Sequence, residues 1–376
     1  MKLKSTLLLL VCIVCLCGCN KKDLSDEAYI TFAKQLEQAV ITGNINEITD
    51  TFDAEAFFNI ITSGMELSEE QLNTARAYIQ NNWNPAQLKI DNVHSGADFR
   101  FIKFYRTAQG EPRAIFRTYF NGSIAIEDFE LYHQKNIIKV KDAFAVISGI
   151  KWSDDFRQQI YNLLGIVNEE VDHVNKLIMV NHAINNEQWA QADSMLFYLL
   201  PSMQNYAYAR IMELNLACIQ YEYDQVHTMA NSFLKDFPQY ESTATFYLMQ
   251  SALRNGLVDE TNKHIETLIR LLGDDPIYYV YSAWSYQNAE AYDYALQSLD
   301  SAINYLPGMF DLYLDKMDIY YTLRQYDELT DILYTLDERF YAGQEDVSYF
   351  SKRYPLAGKN EKFAQWIQNR QQTAKI

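Results

Sequence analysis

Six histidines, His94, His133, His173, His182, His227 and His264, are the first candidates for acid–base or metal chemistry, and their spacing offers neither. None belongs to an HExxH run, and no Cys/His cluster has zinc-site spacing. GxSxG, P-loop and GxGxxG sequences are missing as well, so no catalytic residue, metal ligand or cofactor is assigned. Asp154-Asp155 and Asp274-Asp275 fall near expected helix starts, where the helix dipole favours negative charge, so they read as caps. His133 sits at a strand end beside a turn. Asp142 interrupts an apolar strand face; with Arg117 and Tyr119 it is the polar residue that a pocket in the first half would use.

The richer chemistry is non-covalent. A carboxamide both donates and accepts, so a row of them can bond an extended peptide backbone without reading its sequence. Asn181, Asn215, Gln250 and Trp284 lie 34 or 35 residues apart, a spacing that would make such a row, with Trp284 as an apolar anchor, if the helices bearing them stack as repeats.

The elements that must position these residues fall into two halves. Residues 26–43 carry Ala28, Phe32, Leu36, Ala39 and Val40 at helical spacing, with Gly43 as a stop. An apolar cluster at 57–61 precedes a helix near 68–82, opened by Ser68 and closed by Trp83-Asn84-Pro85. The period then shortens. Segments 98–106, 113–121, 123–133 and 136–148 are rich in β-formers and separated by turns, Asn121-Gly122 being the hairpin signal. They predict an antiparallel meander of four strands with an earlier one near 87–94. Beyond about residue 168 the pattern is helical. Trp189, Tyr223, Val258, Tyr292 and Tyr326 recur at 34 or 35 residues, and Ala192, Val226, Thr261, Ala295 and Leu329 lie three beyond each.

Composition narrows the partners. The chain has 376 residues, 49 acidic against 32 basic, for a net charge of −17, which argues against nucleic acid. Charge is uneven: 15 basic and 20 acidic residues over 19–165, against 15 and 29 over 166–376. The second half also holds 22 of the 28 tyrosines; an acidic, tyrosine-studded surface favours a neutral or basic partner, or glycan stacked on aromatics, over an acidic one, with most of the tyrosines expected in packing between repeats. Gly (13) and Pro (7) are few while Tyr and Phe (20) are many, which favours packed helices over loops.

The N-terminus reads as an address. Lys2 and Lys4 precede an apolar run from Leu7 to Cys17, too short for a membrane span. Leu16-Cys17-Gly18-Cys19 before the polar Asn20-Lys21-Lys22-Asp23 resembles the bacterial lipoprotein signal, with Cys17 an unusual but small occupant of its place. The resemblance implies removal of residues 1–18, acylation (palmitate among the chains) of Cys19, and a tether over 19–25. It implies a protein of the bacterial envelope held to a membrane by lipid, the outer membrane before the inner. Of the five cysteines the mature chain keeps Cys19 and Cys218, so no internal disulfide is expected. Cys218 lies among Leu214, Ala217 and Ile219 and reads as a buried thiol.

Two further resemblances bear on fold class. Helices followed by a meander over 26–165 resemble nuclear-transport-factor-two-like or cystatin-like α+β folds, which often hold a pocket between sheet and helices. The 34-residue rhythm, clearest at 276–309 with Ala283, Tyr286, Tyr292, Ala295, Leu299, Ala302 and Pro307, resembles tetratricopeptide repeats. The expected architecture is an N-terminal α+β domain followed by an all-α superhelical solenoid. Five repeats fill 168–343, at 173–206, 207–241, 242–275, 276–309 and 310–343, and 344–376 forms capping helices. In that family the first helix of each pair lines a concave groove. By repeat position the groove would include Asn181, Asn185, Asn215, Gln220, Gln250, Arg254, Trp284, Gln287, Asn288, Asp318 and Tyr321. Copies one, three and five lack the closing proline, and no lysine clamp for a chain terminus is present. The expected function is a scaffold that binds a protein or peptide. The alternatives are small-molecule binding or catalysis in the α+β pocket, and a glycan-capture lipoprotein.

Overall fold

The computed structural model describes residues 24–88, 98–120, 123–166, 169–340 and 344–373. Cys19 and the signal segment, His94 and the Asn121-Gly122 turn lie outside the described residues. Four helices come first: α1 (Asp26–Ile41), α2 (Ile45–Thr51), α3 (Ala54–Thr62) and α4 (Glu69–Asn82). Ser68 starts α4 with a full capping box, its hydroxyl accepting from Gln71 N while the Gln71 side chain accepts from Ser68 N.

A five-stranded antiparallel sheet follows: β1 (Asp98–Arg106), β2 (Pro112–Phe120), β3 (Ser123–Gln134), β4 (Ile137–Ala145) and β5 (Ile150–Lys151), in sequence order. The fifth strand therefore comes after the four predicted ones. Residues 85–88 form a 3-10 turn where the early strand expected near 87–94 would begin, and the rest of it, 89–94, lies outside the described residues.

The sheet is buried on both faces, and the two-residue period sorts its side chains. Phe99, Ala114, Phe116, Phe129, Leu131 and Val140 pack with Tyr29, Ala33 and Leu36 of α1. Ile115, Tyr119 and Ile126 turn the other way and, with Val146, share one apolar cluster with Leu268, Leu272, Ile277 and Tyr281 of the second half. The helix α5 (Trp152–Leu163) then leads out of the sheet.

Five helix pairs follow among the described residues: α6 (Glu169–Asn185) with α7 (Trp189–Leu199), α8 (Ala207–Ile219) with α9 (Tyr223–Asp236), and α10 (Glu241–Arg254) with α11 (Val258–Leu272). The last two are α12 (Ile277–Asn288) with α13 (Tyr292–Tyr305), and α14 (Phe310–Thr322) with α15 (Tyr326–Phe340). The predicted series Trp189, Tyr223, Val258, Tyr292, Tyr326 supplies the first residue of every second helix. The companions three residues on, Ala192, Val226, Thr261, Ala295 and Leu329, are all 0% exposed. The turns repeat down to one hydrogen bond. Gln188 N, Glu222 N, Leu257 N, Ala291 N and Gln325 N reach back to the carbonyls of Ala183, Ala217, Ala252, Tyr286 and Tyr320 at 2.8–3.0 Å. The residue before each donor, Glu187, Tyr221, Gly256, Glu290 or Arg324, has a left-handed φ of 57–67°. Two closing helices, α16 (Gln344–Arg353) and α17 (Glu361–Thr373), bury Trp366 at the end of the array.

Candidate functional site

First helices pack on first helices, α6 against α8, α8 against α10 and α10 against α12, so their recurring positions form a row. Asn181 and Asn215 are exposed on it and Gln250 is half-buried. None of the three side chains makes a hydrogen bond to a described residue. Gln287 is half-buried and also unengaged, and Arg254 is exposed at the end of α10. The Asn185 backbone lies in α6; its side chain is outside the described set.

The remaining predicted groove residues are tied into the fold. The Trp284 indole donates to Asp315 Oδ2 at 2.7 Å, and burial pushes the Asp315 carboxyl up to about 6 against that bond. Asn288 Nδ2 donates to Leu253 O at 2.9 Å and so ties α12 to the end of α10. Asp318 pairs with Arg353 and accepts from Tyr354 OH at 2.9 Å, while the Tyr321 ring packs on Tyr354 at 5.3 Å. The first closing helix thus covers the far end of the row. Gln220 lines a cavity of about 130 Å³ between α7, α8 and α9.

The three polar residues singled out in the first half serve the architecture. Asp142 is 1% exposed and accepts from Ser153 N at 3.1 Å and Ser153 Oγ at 2.6 Å. It therefore caps α5, whose own N-cap residue Lys151 makes no side-chain cap. Arg117, fully buried, donates from Nε to both Asp275 oxygens at 3.0 and 3.1 Å and from Nη2 to Asp98. Asp275 also accepts from Ile277 N at 2.8 Å and so caps α12, as its position suggested. Tyr119 donates to Asp311 at the start of α14. Arg117 and Tyr119 thus join the sheet to the helix pairs.

His133 accepts or donates through Nδ1 with Tyr29 OH at 2.9 Å. Cys218 is half-buried, and burial pushes its thiol up to about 12, which keeps it in the unreactive form.

Two features escaped the sequence reading. On the α1 side of the sheet, a cavity of about 370 Å³ is walled by Trp83, Pro85, Leu88, Trp152 and Phe156. Ala145 also lines it, and Glu127 pairs with Ala145 from the neighbouring strand. Burial pushes the Glu127 carboxyl up to about 7, with the Trp152 indole pulling the other way.

On the opposite face lies an ionic cluster. Arg113 contacts Glu130 through Nη1 and Asp128 Oδ2 through Nε at 3.3 Å. Lys151 reaches Glu130 at 2.8 Å and Lys141 stands 3.5 Å from it; Tyr105 OH donates to Asp128. Burial raises both carboxyls, but Lys151 and Arg113 overcome it at Glu130 and hold it down at about 2. At Asp128 burial prevails over Arg113 and the carboxyl stays above its usual range.

Among the described residues no group of His, Cys, Asp and Glu is arranged to hold a metal, and no helix is long and apolar enough to cross a membrane. No protein-family model, curated protein or solved structure matches the chain.

Proposed function

We propose that this chain is a lipid-anchored protein of the bacterial envelope, acylated at Cys19, whose five helix pairs stack as a tetratricopeptide-type superhelix. Its concave row of first helices binds an extended segment of another protein. One observation carries the reading: Asn181, Asn215 and Gln250 recur at one register on three adjacent helices and leave their carboxamides unspent. Each can offer a donor and an acceptor to a peptide group, so the row recognises backbone before side chains. The five identical turns and the five fully buried positions support regular stacking, because a pair cannot bury both faces without its neighbour. Lipid tethering would raise the local concentration of partner at the bilayer.

Asn181, Asn215, Gln250, Arg254 and Gln287 constitute the binding row in this reading. Trp284, Asn288, Asp318 and Tyr321 hold it in shape. The test is co-purification from native envelope membranes of the full chain and of a variant carrying N181A, N215A and Q250A. The reading expects one dominant partner to be lost from the variant while its melting temperature stays within a degree or two of the parent. Equal recovery from both would overturn it. For the anchor, Cys19→Ser should move the protein from the membrane to the soluble fraction; unchanged membrane association would refute acylation at that residue.

A further inference from the structure

A cavity of about 350 Å³ lies between α5 and the first two helix pairs, apart from the groove. Asp154 and Asp155 line it from α5, Val174 and Ile178 from α6, and Tyr206 and Tyr208 at the start of α8. Its volume is that of a small-molecule site, and junctions between packed units are where such sites concentrate.

The negative charge in its wall is uncompensated. Asp154 and Asp155 are both exposed, so a ligand in the cavity can reach them. Asp155 accepts from Gln159 Nε2 at 2.8 Å, and neither carboxylate pairs with a Lys, Arg or His among the described residues. Arg157 is the cation among the lining residues, and its guanidinium is spent elsewhere: Nε donates to Ile61 O at 2.9 Å and Nη2 to Ile60 O at 2.7 Å. Carboxylates in the first turn of a helix are common, because the dipole favours them. This pair differs in the cavity it opens on and in Gln158, one turn further along α5. Gln158 lines the same cavity at 8% exposure, and its Oε1 has no hydrogen-bond partner among the described residues.

Tyr208 adds an aromatic face. Its ring is half-buried, lines the cavity and packs on no other aromatic ring among the described residues. Burial, with the charge of Asp155 adding to it, pushes the Tyr208 hydroxyl up to about 12, so the ring stays a neutral phenol with a carboxylate for a neighbour. A cation held by the carboxylate is attracted by the ring face as well. The cation that fits is organic. No third His, Cys, Asp or Glu joins the two aspartates to hold a metal, and Val174 and Ile178 offer apolar surface to an alkyl chain.

We infer that the cavity between α5 and the first two helix pairs binds a small alkyl amine in its ammonium form. The ammonium group donates to Asp154 and Asp155 and lies against the face of Tyr208, with the alkyl chain toward Val174 and Ile178. The inference is independent of the groove, since none of the proposed groove residues lines this cavity.

Isothermal titration calorimetry on the full chain tests it, with putrescine, cadaverine, spermidine and ethanolamine as probes. At least one amine should bind saturably at a single site, and 1,4-butanediol, the uncharged counterpart of putrescine, should not bind. That amine should bind Asp155→Asn about tenfold or more weakly, the loss expected for a charge-assisted hydrogen bond, and Tyr208→Leu about threefold or more weakly. Glu328→Gln removes the same charge from an exposed place on α15 and should bind as the parent does. If Asp155→Asn does not fold, Asp154→Asn and Tyr208→Leu decide. Absence of saturable binding by all four amines, or binding that survives the cavity variants, would overturn the assignment. An equal loss in Glu328→Gln would overturn it too, by reducing the binding to general attraction toward an acidic chain.

Discussion

At the scale of single residues, the same side-chain chemistry does different work according to what surrounds it. Arg117, Tyr119 and Asp142 drew attention as candidates for a pocket because polar groups on an apolar strand face need a reason. Their partners Asp275, Asp311 and Ser153 come from elements brought in by the fold, up to 192 residues away in sequence, and no local pattern announces them. Burying Arg117 is tolerable only because Asp98 and Asp275 neutralise it, so Arg117→Ala should cost about 3–5 kcal/mol by stranding the buried Asp275 carboxylate. Chemical denaturation of the variant reads that directly; a loss below 1 kcal/mol would mean the pair is wetter than its geometry indicates. Glu127 gives a pH signature. Its folded carboxyl is held at about 7 and its unfolded one at the ordinary glutamate value of about 4.3. Below both values the group is protonated in either state and contributes no pH dependence. As pH rises through this window the unfolded chain gives up its proton first, so stability falls, by up to about 4 kcal/mol, and the loss is complete above about 7. Glu127→Gln should therefore melt close to the parent at pH 4 and above it at pH 8. Coincident melting at both values would contradict the burial argument.

At the scale of elements, the helix pairs were legible because close packing leaves a sequence trace. A second helix that meets its neighbour at Ala192, Val226, Thr261, Ala295 or Leu329 cannot expose that position, and none of the five does. The series Trp189, Tyr223, Val258, Tyr292 and Tyr326 marks the start of each second helix, although these positions are half-buried or, at Trp189, exposed. The turns themselves were not legible. A left-handed residue after a helix is normally glycine, yet Gly256 is the one glycine among the five, and Glu187, Tyr221, Glu290 and Arg324 adopt the conformation without it. The turn is set by the recurring hydrogen bond back to the first helix rather than by a glycine, and composition does not record that bond. Substitutions should then move in opposite directions. Tyr221→Gly should gain up to about 1 kcal/mol by relieving a left-handed side-chain residue. Gly256→Ala should lose about that or more, since its new Cβ would also stand 3.2 Å from Asn288 O. Thermal melts of the two variants that shift in the same direction would show that the turns are not equivalent.

At the scale of the whole molecule, the boundary near residue 165 separates two patterns but not two cores. One face of the sheet is covered by α1 and its neighbours, the other by the helix pairs. The sequence shows strands with apolar residues on both faces, which is compatible with a sheet covered twice, but nothing in it says by what. Gly149 shows how closely the halves meet: a Cβ there would lie 2.2 Å from Ile211 Cδ1. A fragment beginning at residue 168 would uncover Leu272, Ile277 and Tyr281, and should aggregate or lose cooperative melting, as size-exclusion chromatography would record. A monomeric, cooperatively melting fragment would contradict the shared core. A sheet fixed along the array can hold the first helices in register, which a backbone-reading groove requires. The most direct measurement of the proposed groove is site-specific photocrosslinking in the native host cells, with the photoreactive residue placed at position 215 on the row or at position 259 on α11. Covalent capture of one defined protein from position 215 and none from position 259 is the predicted result. Equal capture from the two positions, or none from position 215, would contradict the groove as the binding surface.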